Sequence, residues 1–249
     1  MTDSTPTDPV FTGSVFTVRD LTVTYDGGPP AVSGYHVDLA PGTLTVILGR
    51  NGAGKTSTLR GITGFLAHES GSSKGRISIR GQVVKRPNPL RLSKLGVGLV
   101  ADQHKVFVNM CVQDQLRLVA SRKQDLEEMY DFFPRLRERR TVRAGLLSGG
   151  ERQMLATALV LLRKPSVLLV DELSLGLAPG MVRELMGHLR RLADERGLTI
   201  LAADQAVHAS LHVADQVQVM DSGSLVASGP LDSLDIDAVL DTYLGRHER

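Results

Sequence analysis

The chain has 249 residues, of which 42% are hydrophobic, and its 29 Lys and Arg against 27 Asp and Glu leave a formal charge of +2. That length suits one α/β core with a smaller appended lobe, and the hydrophobic share is enough to bury it. The weak charge bias excludes nucleic-acid binding that relies on electrostatics alone, and the single Cys111 excludes an internal disulfide, so a buried structural thiol in a reducing compartment is expected.

In chain order, residues 1–13 are rich in Ser, Thr, Asp and Pro and read as a mobile tail, without the basic end and apolar run of a signal peptide. Residues 15–23 have the spacing of a strand, and Asp26, Gly27 and Gly28 mark a turn. Residues 43–48 form a β-branched, apolar run that reads as a buried strand and leads directly into glycine. Residues 68–75 read as a Gly/Ser-rich loop, and residues 76–84 and 97–100 as further strands.

From about residue 112 the character turns charged and helical, with Leu116, Leu118, Leu126 and Met129 as inward positions, and a lobe over about 112–150 is expected to interrupt the core within 14–249. Ser148 with Glu151 is the capping pattern of a helix start, and Pro165 ends that run. Residues 167–170 and 198–202 are two more apolar strands. Strands alternating with helices predict a mostly parallel sheet covered on both faces. No internal repeat is visible, and no stretch approaches the ~18 apolar residues of a membrane helix.

The chemistry starts at Gly49, Arg50, Asn51, Gly52, Ala53, Gly54, Lys55 and Thr56, a full match to G-x-x-x-x-G-K-[ST] between a strand and a helical segment beginning at Ser57. Glycines let backbone N–H groups turn around phosphate oxygens, and the following helix adds its positive end. Lys55 would reach the β and γ phosphates of a nucleoside triphosphate and the Thr56 hydroxyl would hold Mg²⁺. Downstream, four apolar residues end in Asp171 and Glu172. Successive strand side chains point oppositely, so the two acids suit different tasks: Asp171 the Mg²⁺ shell, Glu172 the general base toward the attacking water.

Between these two motifs stands Leu147, Ser148, Gly149, Gly150, Glu151, Arg152 and Gln153, which resembles the signature of the ABC ATPase family. The resemblance spans about residues 15–230 and implies a P-loop NTPase core with an N-terminal antiparallel β region and an inserted helical lobe. In that family the helix start at Ser148, Gly149 and Gly150 faces the γ-phosphate held by a second subunit, so each ATP lies between two chains. Tyr25 matches the family's adenine-stacking aromatic, and residues 174–179 resemble the loop that carries contact between subunits.

Two positions depart from the family pattern. The loop whose glutamine usually reaches Mg²⁺ aligns with Val100, Ala101, Asp102 and Gln103, which leaves Asp102 and Gln103 both open as the ligand. The switch histidine is replaced by Gln205, which can hydrogen-bond phosphate or water but cannot become cationic. Leu173 also replaces the usual proline, a local packing change. With residues 132–139 and 174–179, Gln205 gives a likeness to the ATP-binding subunits of branched-chain amino-acid uptake systems.

The resemblance implies an ATPase that uses ATP and Mg²⁺ to energise a membrane transporter, the expected cargo being branched-chain amino acids or related small polar solutes such as amides or urea. An exporter, or a soluble ABC protein acting on ribosomes or DNA, is the alternative. Expected partners are membrane permease subunits, a second ATPase subunit of the same or another kind and, indirectly, a periplasmic or extracellular solute-binding protein, with no nucleic acid. The expected place is the cytoplasmic face of the membrane. The pair His208 and His212, at i and i+4, reads as a helix face, and the arginine-rich stretch 135–140 as wet surface.

Overall fold

The computed structural model describes residues 13–66, 70–101, 106–235 and 238. Strand β1 (Phe16–Tyr25) buries Phe16 and Val18, then Leu21 and Val23, so its apolar phase slips by one residue. The slip is a bulge, with Asp20 at φ 51° and a shift in pairing to β2 (Pro30–Leu39) between Val18 and Leu21. Strand β3 (Leu44–Leu48) is buried at all five positions, as a central parallel strand must be. Helix α1 (Lys55–Thr63) follows the glycine loop.

Strand β4 (Gly71–Ile79) pairs antiparallel with β1 and continues into β5 (Gln82–Val83). Residues 71–75, expected as loop, are therefore strand. Polar Ser72 and Ser73 give no apolar signal, and the segment is held by its ladder to Thr24 and Val23, with Thr24 Oγ1 and Ser72 Oγ 2.9 Å apart. Residues 67–69 lie outside the described set.

Helix α2 (Pro89–Lys94) and strand β6 (Val97–Val100) lead to three helices, α3 (Val112–Val119), α4 (Lys123–Phe132) and α5 (Pro134–Glu138). Leu116, Leu126 and Met129 are buried as expected, whereas Leu118 is 70% exposed. Helix α3 turns about 100° per residue, so with Val112, Gln115 and Leu116 inward, Leu118 faces out. Cys111 is half-buried, not buried, and its Sγ donates to Asp114 Oδ2 at 2.7 Å ahead of α3.

Helix α6 (Gly149–Leu161) begins at the expected capping box: Ser148 Oγ accepts from Glu151 N at 3.2 Å, and Glu151 Oε2 from Ser148 N at 2.9 Å. Strand β7 (Val167–Asp171), helix α7 (Pro179–Arg196), strand β8 (Thr199–Asp204), short helix α8 (Val207–Leu211) and the hairpin β9 (Gln216–Asp221) and β10 (Ser224–Pro230) complete the order. The hairpin turn, Ser222 at φ 49° and Gly223 at φ 82°, has the two positive φ angles of a type I′ turn.

The six-stranded sheet runs β10-β9-β3-β8-β7-β6, parallel except for β10, and the four-stranded sheet runs β2-β1-β4-β5. Alternation along the parallel strands feeds two cores. Leu44, Val46, Leu168, Val170, Ile200 and Ala202 pack with the helices α6 and α7 and the α3–α5 lobe, whereas Ile47, Val167, Leu169, Leu201 and Ala203 pack with α1 and the antiparallel sheet. The ends of β3, β7 and β8 therefore open at one edge, where an α/β sheet binds ligands.

Candidate functional site

A cleft of 320 Å³ at that edge is lined by Pro30, Ala31, Gly52, Gly54, Lys55, Thr56, Ser57, Glu172, Ser222 and Gly223. Glycine is required where the loop meets other backbone. A Cβ on Gly49 would lie 2.6 Å from the Met220 carbonyl, and one on Gly54, at φ 100°, 2.8 Å from the Ala31 carbonyl. Gly223 N donates to Ala53 O at 3.0 Å, so the last hairpin holds the loop from outside. Helix α1 carries no acid in its first turn, which leaves its positive end available to an anion.

Lys55 is 4% exposed and its Nζ donates to the loop's own carbonyls, Gly49 O at 2.7 Å and Arg50 O at 3.1 Å. Burial pushes its pKa down, against the upward pull of Glu172, Asp171 and Asp204, and the net shift is downward. Thr56 Oγ1 donates to Asp171 Oδ1 at 2.9 Å. A hydroxyl and a carboxylate at that spacing are hard oxygen donors of the kind Mg²⁺ takes, and the glycine cradle with a buried ammonium fits a polyphosphate.

Glu172 leaves the strand. Its φ is 47°, its N–H donates to Ala203 O at 2.9 Å, and its Oε1 accepts from Gln205 Nε2 at 3.0 Å. Asp171 is 3% exposed at the strand end while Glu172 is half-buried in the cleft. The two acids thus part because the backbone turns left-handed between them, beyond what strand alternation alone provides.

Asp204, fully buried, was missed as a site residue. Its Oδ1 accepts from Gln205 N at 2.6 Å, from Ala206 N at 3.0 Å and from Ser174 Oγ, and its Oδ2 has no partner. It ties the Ser174 loop to the Gln205 turn. The available signal was an acid closing the apolar run of β8. Ala31, Ser222 and Gly223 carried no signal, because they reach the cleft from distant strands.

Other expected residues fall apart from the cleft. Asn51 is exposed, Gly49 and Ala53 shape the loop from behind, and the Tyr25 hydroxyl donates to Ser57 Oγ at 3.2 Å with its ring beside Gly71. Ser148, Gly149 and Gly150 do not line the cleft. The two glycines have a packing reason that was not foreseen: a Cβ on Gly149 would lie 2.8 Å from Leu177 Cδ2, and one on Gly150 2.3 Å from Met181 Cγ. Asp102 and Gln103 lie outside the described residues, as does the His208 side chain. Among the described residues no group of three or more His, Cys, Asp or Glu is placed to hold a metal ion, and no helix is long and apolar enough to cross a membrane.

The sequence profile of the ABC transporter family matches residues 32–174. A high-affinity branched-chain amino acid transport ATP-binding protein, BraG of Pseudomonas aeruginosa, is 32% identical over 233 residues, covering 91% of this chain and 98% of its own. A probable branched-chain amino acid transport ATP-binding protein, LivF of Archaeoglobus fulgidus, is 32% identical over 203 residues, covering 79% and 84%. A molybdenum import ATP-binding protein, ModC of Paramagnetospirillum magneticum, is also 32% identical, covering 82% of this chain and 58% of its own. The fold matches the ADP-bound cassette MJ1267 with a TM-score of 0.80 at 23% identity, over 94% of this chain and all of that one. The chain belongs to the ABC transporter family, as one of its ATP-binding subunits.

Proposed function

We propose that this chain hydrolyses ATP in a two-chain clasp at the cytoplasmic face of a membrane and drives uptake of branched-chain amino acids or related small polar solutes. The observation that carries the chemistry is the bond from Thr56 Oγ1 to Asp171 Oδ1 at 2.9 Å, in the same cleft edge as Lys55 and Glu172. In this reading the loop 49–56 cradles the phosphates, Lys55 holds the β and γ groups, and Thr56 and Asp171 hold Mg²⁺ with Asp102 or Gln103. Glu172 takes the proton of the attacking water and Gln205 orients that carboxylate. Tyr25 stacks on adenine.

The two-chain reading is supported by the distribution of the motifs. Ser148, Gly149 and Gly150 start a thirteen-residue helix yet take no part in the chain's own cleft, so a companion's cleft is the place for them. Contact with permease subunits is supported by exposed apolar side chains beside the lobe: Phe107 at 66%, Val108 at 55% and Leu146 at 79%, joined by Gly145 N to Val108 O at 2.8 Å. The solute is supported by the names of the BraG and LivF relatives and by Gln205 at the switch position; the ModC relative supports molybdate as a second reading.

The test is light scattering of Glu172→Gln with Mg·ATP, alone and with candidate companion subunits. A stable two-chain species that Lys55→Ala abolishes is expected; a chain that stays single with every companion sinks the clasp. Uptake of labelled leucine against molybdate in cells lacking the gene decides the solute.

A further inference from the structure

A second cleft lies away from the nucleotide site. It measures 650 Å³, about twice the volume of the 320 Å³ cleft at the glycine loop, and opens between α3, the start of α4 and the end of α5. Arg117, Arg122, Lys123, Arg137 and Arg140 line it against one carboxylate, Glu127. That volume is in the range of small-molecule sites.

The arginine-rich stretch 135–140 divides on folding. Arg135 faces Glu138 at 3.5 Å and Arg139 bonds Glu151 at 3.1 Å, so those two are matched elsewhere. Arg137 and Arg140 turn into the cleft. Of the five lining cations, Arg122 is matched by Asp125 at 2.8 Å and Arg137 by Glu127 and Asp131, each at 2.8 Å. Arg117 has only a long approach to Asp114 at 3.9 Å. Among the described residues Lys123 and Arg140 have no carboxylate within ion-pair distance, and the Arg140 guanidinium bonds only the Arg137 carbonyl, at 3.2 Å. Two cations are left over inside one concave surface, where their fields add.

A second observation singles out the same place. Tyr130 also lines the cleft and is 4% exposed, yet its hydroxyl has no hydrogen-bond partner. Buried hydroxyls are nearly always paired, so an orphan calls for an explanation. The Arg137 guanidinium lies 5.1 Å from the tyrosine ring centre, which fixes that arginine over the ring.

We propose that this cleft is a second anion site, which takes a ligand bearing phosphate groups through Lys123, Arg140 and Arg117, with the Tyr130 hydroxyl as a further donor. Guanidinium forks match phosphate oxygens in pairs, and the lysine adds a point charge. A soluble phosphorylated compound and a lipid headgroup share this chemistry.

The test titrates inorganic pyrophosphate calorimetrically into the full chain saturated with a non-hydrolysable ATP analogue, which fills the glycine-loop cleft. A parallel arm sediments the protein with phosphatidylcholine vesicles with and without phosphatidylglycerol. Binding in the first arm assigns a soluble ligand, and binding only in the second a lipid headgroup. In either arm the pair Lys123→Glu with Arg140→Glu is expected to weaken binding at least tenfold, and Tyr130→Phe several-fold with an unchanged Tm. No binding in both arms, or binding that the charge-reversed pair leaves unchanged, overturns the proposal. A weakened charge pair with an unaffected Tyr130→Phe reads as diffuse attraction and overturns it too.

Discussion

Gln205 Nε2 donates to Glu172 Oε1 at 3.0 Å, so the side chain that follows β8 holds the carboxylate of the cleft directly. The contact joins the ends of two neighbouring parallel strands, β8 and β7, and orients an acid whose own backbone is already turned by its φ of 47°. A neutral amide can do this without changing charge near neutral pH.

Gln205→Ala leaves Glu172 unoriented. One hydrogen bond to a charged group is worth about 1.5–3 kcal/mol, so kcat for ATP is expected to fall about tenfold or more, with KM nearly unchanged. Glu172→Gln removes the carboxylate proposed as general base and is expected to cost at least about a hundredfold in kcat. Steady-state ATPase assays of the two variants check both; a Gln205→Ala enzyme at full rate would remove the orienting role.

Asp204→Ala takes the acceptor from two backbone N–H groups, those of Gln205 and Ala206, and from the Ser174 hydroxyl. Orphaning a buried donor costs about 1–3 kcal/mol, so urea denaturation should show a loss of at least that size. Hydrolysis is expected to fall more than ATP affinity, because Gln205 loses its anchor while the glycine loop keeps its shape.

The parts of this site that could be read in advance are those written in neighbouring residues. The apolar runs at 43–48 and 167–170 and the Ser148 with Glu151 cap each depend on local spacing, and they fold as β3, β7 and the start of α6, while α1 begins at Lys55, two residues before the expected Ser57. Strand β4 was legible only from Arg76 onward, since Ser72 and Ser73 are held by β1 and carry no apolar pattern of their own. Leu118 was misplaced by a two-residue step, about 200° of helix turn, from buried Leu116. Asp204, Ala31 and Gly223 escaped notice because the contacts that bring them to the site cross the chain, Asp204 to Ser174 and Ala31 to Gly54 and Gly223, and local spacing does not carry those distances.

Gly64→Ala tests the seating of α1. Gly64 closes that helix at φ 69°, and a Cβ there would lie 2.2 Å from the Pro87 carbonyl oxygen. Left-handed strain and the backbone clash together should cost at least about 2 kcal/mol, read as a lower urea midpoint with an unchanged slope. A variant as stable as the wild type would mean that the loop carrying Pro87 yields freely.

Asp125 sits at the start of α4 with Arg122 and Lys164 each 2.8 Å from its Oδ1. Hydrogen bonds from Arg122 and then Lys164 hold its carboxyl well below the usual carboxylate range, against the upward push of burial. A carboxyl whose folded pKa is depressed stabilises the fold above its unfolded value of about 3.9 and loses that contribution as pH falls toward the folded value. Asp125→Asn is therefore expected to lower Tm at pH 7, and the gap from wild type should shrink as the buffer is taken below about pH 4. A constant gap down to pH 3 would show that charge is not what Asp125 contributes.

The placement of β3 has a consequence for synthesis. Leu48, the last residue before the glycine loop, pairs with Asp204 on one side and Val219 on the other, and Gly223 props the loop through Ala53. A ribosome that has just made the loop has none of these supports yet, and about 165 further residues, to Asp221, must emerge before both neighbours of β3 exist. The nascent chain thus carries its phosphate motif unformed until β9 and β10 have been made, and a deletion that removes this hairpin should disable nucleotide binding although every motif residue is still present.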